Sequence, residues 1–163
     1  MKRAAALLLP LALLAAARPV LAQEAIYVVR HAERVDQSAD SALSTEGIGR
    51  SYRLRDTLRD AGITRIFTSE LRRTIDTAAP LAAAIKVTPR QESAADAAAL
   101  AEHVVSSGAG ARVLVVGHSN TVPALLRALH VDPAITIADD EYDDLFIVVP
   151  RKDDRPLLLR LKY

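Results

Sequence analysis

The chain has no cysteine and no tryptophan, only two phenylalanines, and aromatic residues make up 4% of its 163 positions. Without cysteine there are no disulfides, no thiolate nucleophile and no cysteine-ligated metal. A core without tryptophan and nearly without phenylalanine must be packed from aliphatic side chains. Charge of one sign is also missing: 21 Lys and Arg stand against 20 Asp and Glu, a formal net charge of +1. No bulk positive field draws in nucleic acid, so any anion must be held by local charges. The longest apolar run, Ala4 to Ala17, is 14 residues, short of the ~20 that span a bilayer.

That run has a meaning of its own. Met1-Lys2-Arg3 is a short basic start, and "RPVLAQ" follows the apolar stretch, with small residues at Val20 and Ala22. Residues 1–22 read as a secretory signal peptide cleaved after Ala22, against the alternative of a membrane anchor. The expected organisation is a leader (1–22) and one domain (23–163) without internal repeat or linker, periplasmic or secreted. It is not expected to stay inserted in a membrane after cleavage, or to bind nucleic acid. Removing Lys2, Arg3 and Arg18 leaves 18 basic and 20 acidic residues on a domain of 141 residues, long enough for a real core.

What the domain does have is alternation. "AIYVV" (25–29) is β-rich and bounded by polar residues. A charged loop, 31–43, follows. Residues 44–62 read as a helix capped by Ser44, stopped by Gly62, with Ile48, Leu54, Leu58 and Ala61 as its inner face. "ITRIFTS" (63–69) is a strand. Residues 70–85 form a helix that Pro80 should kink or divide. "KVTP" (86–89) is a possible edge strand, and 93–108 a helix with Ser93 as cap. "RVLVVGH" (112–118) is apolar on both faces, as a central strand covered by helices should be. A helix over 121–130 precedes strands 144–150 and 156–163, read as a hairpin. The expectation is a three-layer α/β/α domain with a mostly parallel sheet and at least one antiparallel strand.

In such sheets ligands bind outside the carboxyl ends of the strands. That rule gathers Arg30-His31, Thr68-Ser69 and Gly117-His118 on one edge. A neutral imidazole is a nucleophile near neutral pH. Guanidinium groups neutralise and hold phosphoryl oxygens in a planar fork. Arg30 adjoins His31, and Arg72 and Arg73 begin the helix after the second strand, where backbone N–H groups also favour an anion. The set suits phosphoryl transfer, in which positioning and charge stabilisation do most of the work.

The same segments resemble the histidine phosphatase superfamily, with its phosphoglycerate-mutase-like fold. "VVRHAE" resembles the Arg-His-Gly-Glu signature, "LSTEG" the helix start that follows it, "TSELRRTIDTA" the segment with the second arginine, and "VVGHSN" the second-histidine segment. The resemblance implies that His31 is a nucleophile forming a phosphohistidine, and that Arg30, Arg73 and His118 hold the phosphoryl oxygens. Arg72 is then a helix-surface residue. It also implies that no metal or other cofactor is needed, and that the partner is a phosphorylated small molecule or envelope component. Water as acceptor makes a phosphatase; return of the phosphate to substrate makes a mutase, which a short chain with a leader argues against. Ala32 and Ser119 stand where glycine is common. The long insertion that carries a general acid in many members is missing. Glu92 is the best-placed candidate acid, with Glu33, Asp140 and Glu141 as rivals, and a good leaving group would need none. Two alternatives remain: a phosphate- or phosphosugar-binding module without efficient turnover, and a phosphatase of lipopolysaccharide sugar phosphates.

Other motifs lead elsewhere and stop. His103 and His130 have no ligand spacing. "GHSNT" lacks the second glycine of a serine-hydrolase elbow. "GAGAR" precedes a strand and opens no helix. The cluster "DDEYDD" (139–144) reads as a solvated loop, or as an acidic mouth to the site.

Overall fold

The computed structural model of the protein describes residues 24–131, 134–152 and 154–163. The predicted leader lies outside them. Ten elements follow in order: β1 (Ala25–Arg30), α1 (Thr45–Leu58), β2 (Arg65–Ser69), α2 (Arg72–Ile85), β3 (Arg90–Glu92), α3 (Ala97–Val105), β4 (Arg112–Gly117), α4 (Thr121–Ala128), β5 (Asp144–Val149) and β6 (Leu157–Lys162). The strands form one sheet in the order β3-β2-β4-β1-β5-β6. The pairs β2–β3, β2–β4 and β1–β4 are parallel, while β1–β5 and β5–β6 are antiparallel. The mostly parallel three-layer expectation therefore holds, and the closing hairpin supplies the antiparallel strands.

The period of two along each strand divides the core. Ile26, Val28, Val113, Val115, Phe146 and Val148 pack with α3 and α4. Val29, Leu114, Val116 and Leu145 face the other way, against Leu54 and Leu58 of α1 and Ala78 and Leu81 of α2. Alternate residues of one strand point to opposite faces, so β4 is apolar throughout because both faces are covered.

Several boundaries differ from expectation. Helix α1 does start at Ser44, whose hydroxyl accepts from Gly47 N. It stops at Leu58, however, and Gly62 takes positive φ beyond its end. Ile48 is not on the inner face; it is 50% exposed, and the buried stripe is Gly47, Ser51, Leu54 and Leu58. At 100° per residue those four share one face, and Ile48 lies a quarter-turn away. Pro80 does not divide α2, which runs unbroken past it. It removes one backbone bond of the helix, a cost of ~3 kcal/mol set against the burial of Ala78, Leu81 and Ala82. The edge strand begins at Arg90, because Lys86 closes α2 in a left-handed conformation and Pro89 has no N–H to donate. Helix α3 is shorter than 93–108: Asp96, not Ser93, caps it by accepting from Ala99 N. Helix α4 ends at Ala128, two residues short of the expected end, and His130 has positive φ.

One glycine ties α1 to the loop after β1. A Cβ on Gly47 would stand 2.2 Å from the backbone oxygen of Glu33, two residues past His31. Both neighbours are backbone, so neither can swing aside. Gly47→Ala is expected to cost ~1–3 kcal/mol by overpacking and to push on the loop that carries His31. Urea midpoints of the two proteins, measured side by side, check the cost.

Candidate active site

The parallel core strands end in register. Arg30 pairs with Gly117 across β1 and β4, and His31 N donates to Gly117 O at 2.8 Å. That bond sets the first residue after β1 beside the first residue after β4. The ring centroids of His31 and His118 lie 5.3 Å apart, with planes at 61°. Gly117 lets α4 start directly above, since a Cβ there would sit 2.8 Å from Thr121 Oγ1. Thr121 Oγ1 in turn accepts from His118 N at 2.8 Å.

Both imidazoles line an open cleft of about 290 Å³ with Arg30, Arg34, Arg73, Ser119, Asn120 and Asp139. The structure thus brings together His31, His118, Arg30 and Arg73, the four groups picked from three separate strand ends. His31 Nδ1 lies 2.7 Å from Ala32 O. A carbonyl can only accept, so Nδ1 carries the proton and Nε2 keeps its lone pair. His118 Nε2 meets Ser69 Oγ at 2.9 Å, a partner delivered by the end of β2.

Burial is the main reason that both histidines stay neutral. It pulls His31 down to about 3, opposed by the Ala32 bond and aided by the neighbouring His118, Arg73 and Arg30. It pulls His118 down to about 4, with Arg73 next in effect. The folded values lie below the unfolded 6.5, so the unfolded chain takes up protons first as pH falls. Stability is therefore full above about pH 6.5 and is lost toward pH 4 and then 3, by up to ~1.4 kcal/mol per pH unit for each histidine. Urea unfolding at pH 7.5, 6.5 and 5.5 is expected to show this fall, and a His31→Asn, His118→Asn double variant to flatten it. Equal slopes for the two proteins would contradict it.

The arginines are positioned by backbone carbonyls. Arg30 Nη1 donates to Ala138 O, Asp139 O and Glu141 O at 2.8, 3.0 and 3.1 Å, and its guanidinium lies 4.0 Å above the Tyr142 ring. Among the described residues these bonds run through Nη1 alone. Arg73 Nη1 donates to Ala39 O at 2.7 Å. Burial lowers the pKa of each guanidinium from its ordinary value, far from any loss of charge at neutral pH. Arg72 turns outward to an ion pair with Asp76 at 3.2 Å.

The four candidate acids lie elsewhere. Glu92 does not line the cleft; its carboxylate is drawn to Arg90 at 2.5 Å and His103 at 2.9 Å, and it lines instead a small adjoining crevice with Ser69 and His118. Glu33 is gripped by Arg50 Nε at 2.8 and 2.9 Å. Burial raises its pKa, the Arg50 bonds lower it, and the net shift is downward, which suits an ionised anchor better than a proton donor. Glu141 pairs with Arg160 and Lys162, and Asp140 is exposed on the loop. Among the described residues Asp139 is the carboxylate lining the cleft. Sequence reasoning read the acidic cluster as a solvated loop or as the mouth of the site, and did not single out Asp139. It gathered Ser69 at the same sheet edge without giving it a role, passed over Tyr142, and left Arg34 unassigned.

A cleft at the carboxyl ends of parallel strands, with neutral imidazoles and fixed guanidinium forks, is suited to an oxyanion such as phosphate. The family model for the histidine phosphatase superfamily (branch 1) matches residues 26–96. Solved structures with the same fold include mycobacterial glucosyl-3-phosphoglycerate phosphatase in complex with inorganic phosphate, at 17% identity and TM-score 0.66, covering 86% of this chain and 96% of that one. A protein described as a phosphohistidine phosphatase, SixA from Agrobacterium tumefaciens, aligns at 19% identity and TM-score 0.64, covering 86% and 97%. Phosphoglycerate mutase from Bacillus anthracis aligns at 17% and TM-score 0.62, covering 88% and 93%. No curated protein matches the chain in sequence.

Proposed function

We propose that the protein is a phosphomonoester hydrolase working through a phosphohistidine on His31, without a metal. The observation that carries this reading is the His31 ring itself: neutral, with Nδ1 fixed on Ala32 O and Nε2 left as a lone pair in a cleft shared with Arg30, Arg73 and His118. Nε2 attacks phosphorus while the bond to the leaving oxygen breaks, and that oxygen departs with the electron pair. The arginines neutralise the non-bridging oxygens, and His118 adds a hydrogen bond from the opposite side. Water then attacks the phosphohistidine, inorganic phosphate leaves, and His31 returns to its neutral state.

None of the four expected acids lines the cleft, and the carboxylate that does, Asp139, sits exposed on its loop. Substrates whose leaving group departs without protonation are therefore favoured: aryl phosphates, acyl phosphates or phosphoramidates over simple alkyl esters. The same shortage of a firmly held acid favours the second reading, a phosphate-binding module with slow turnover. One experiment separates them. The purified protein is given p-nitrophenyl phosphate, inorganic phosphate release is followed, and the reaction is quenched in alkali to trap acid-labile phosphoenzyme. Turnover with trapped phosphohistidine supports the enzyme; orthovanadate binding without phosphate release supports the module.

Export is part of the proposal, resting on the leader sequence. Amino-terminal sequencing of the protein from a periplasmic extract is expected to begin at Gln23. A chain retained in the cytoplasm with Met1 intact would refute it.

A further inference from the structure

The outer strand of the hairpin is built for a second copy of itself. β6 has β5 on one side and no neighbour on the other among the described residues. Its register with β5 pairs Leu157 with Val149, Leu159 with Ile147 and Leu161 with Leu145. These leucines therefore share the sheet face that α1 and α2 cover over the inner strands. The helices do not reach them: Leu157, Leu159 and Leu161 are 38%, 44% and 50% exposed. Three exposed leucines at alternate positions of an unpaired strand make an apolar row beside a row of free backbone groups. Natural edges usually blunt that combination with charge.

β6 has two cations, but both are engaged within the chain. Arg160 reaches Asp144 and Glu141 at 2.7 Å each. Lys162 reaches Asp143, Asp144 and Glu141 at 2.7, 3.0 and 3.1 Å. They lie on the opposite face from the leucines and are already neutralised, so they guard the edge weakly.

We propose that two copies of the chain pair antiparallel through β6, about a two-fold axis at Leu159, joining their sheets into one. The backbone phase and the charges select this register. Tyr163 N donates to Asp143 O, so by the alternation of an antiparallel ladder Leu157, Leu159 and Leu161 bond inward to β5. Leu158, Arg160 and Lys162 then direct their N–H and C=O groups outward. A two-fold at Leu159 pairs Leu158 with the partner's Arg160 by backbone bonds. It sets Leu159 against the partner's Leu159, and Leu157 against the partner's Leu161. All six leucines meet on one face. A two-fold at Arg160 would instead oppose two guanidinium groups directly, which is unfavourable. Such an interface is isologous and closed, so it ends at a dimer.

The test uses the absence of cysteine. At the proposed axis the two residues 159 form a non-hydrogen-bonded pair with Cα atoms about 4.5 Å apart, within disulfide range. Leu159→Cys oxidised with diamide should give a covalent dimer in high yield. Leu161→Cys should not, because its two copies would be about 13 Å apart at four residues' rise. The unaltered protein should sediment as a dimer and Leu159→Lys as a monomer with unchanged p-nitrophenyl phosphatase activity, since Leu159 lies outside the cleft. A monomeric mass for the unaltered protein overturns the proposal. So does cross-linking of Leu161→Cys as readily as Leu159→Cys, or binding to phosphatidylglycerol vesicles in place of self-association.

Discussion

His31→Ala is expected to lower phosphate-ester turnover by about 10⁴–10⁶-fold, the range seen when a catalytic nucleophile is removed, and to abolish the trapped phosphoenzyme. The ring is buried, with 4% of its surface exposed, and its one polar tie is the Nδ1 contact with Ala32 O. Alanine deletes the nucleophilic Nε2 but leaves the bond from the residue-31 amide to Gly117 O, so the strand ends stay in register. The arginines also remain, so orthovanadate binding should survive with a modest loss. That separation of binding from turnover distinguishes a lost nucleophile from a lost fold. His31→Ala activity within tenfold of the unaltered protein would remove His31 from the mechanism, whatever its position in the cleft.

How far the sequence could lead is clearest in particular residues. β1 and β4 were legible because four or more consecutive apolar residues followed by Arg-His or Gly-His admit few other structures. The strand-end rule places His31 and His118 on one edge, and the 5.3 Å between their rings follows from the Arg30–Gly117 register. Glu92 was not legible. It ends β3 beside Ser69 in the ladder, as a candidate acid should, but Arg90 and His103 take its carboxylate. His103 belongs to α3, and no local pattern reveals that its ring turns back to the sheet edge. The three carbonyls that hold Arg30 were invisible for another reason: every residue has a carbonyl, so composition is silent about where one points. The helix limits failed where two caps competed. Ser93 and Asp96 both offer a side-chain oxygen, and Asp96 accepts the helical amide while Ser93 accepts from Ala95 in the preceding turn.

The choice between Arg73 and Arg72 is the sharpest remaining test of the site. Neighbours on a helix point about 100° apart, so both cannot serve one anion equally. Arg73 lines the cleft and is held by Ala39 O; Arg72 borders a different groove with Asp76 and Pro80. Arg73→Ala is expected to lower turnover by about 10²–10³-fold, the usual effect of removing one preorganised donor from a transition-state oxygen. Arg73→Lys restores charge without the planar fork, so it should recover only a small part of that loss. Arg72→Ala should change turnover by less than about twofold, because its ion pair with Asp76 is largely exposed and such pairs contribute ~0–1 kcal/mol. Its backbone N–H, which donates to Asp40 Oδ1 at 2.7 Å, survives the substitution. Steady-state rates on p-nitrophenyl phosphate, paired with orthovanadate affinity for the three variants, decide the matter. If Arg72→Ala proves the more damaging change, α2 presents its anion-binding face one residue away from where the cleft requires it, and the phosphate site would have to be redrawn around that face.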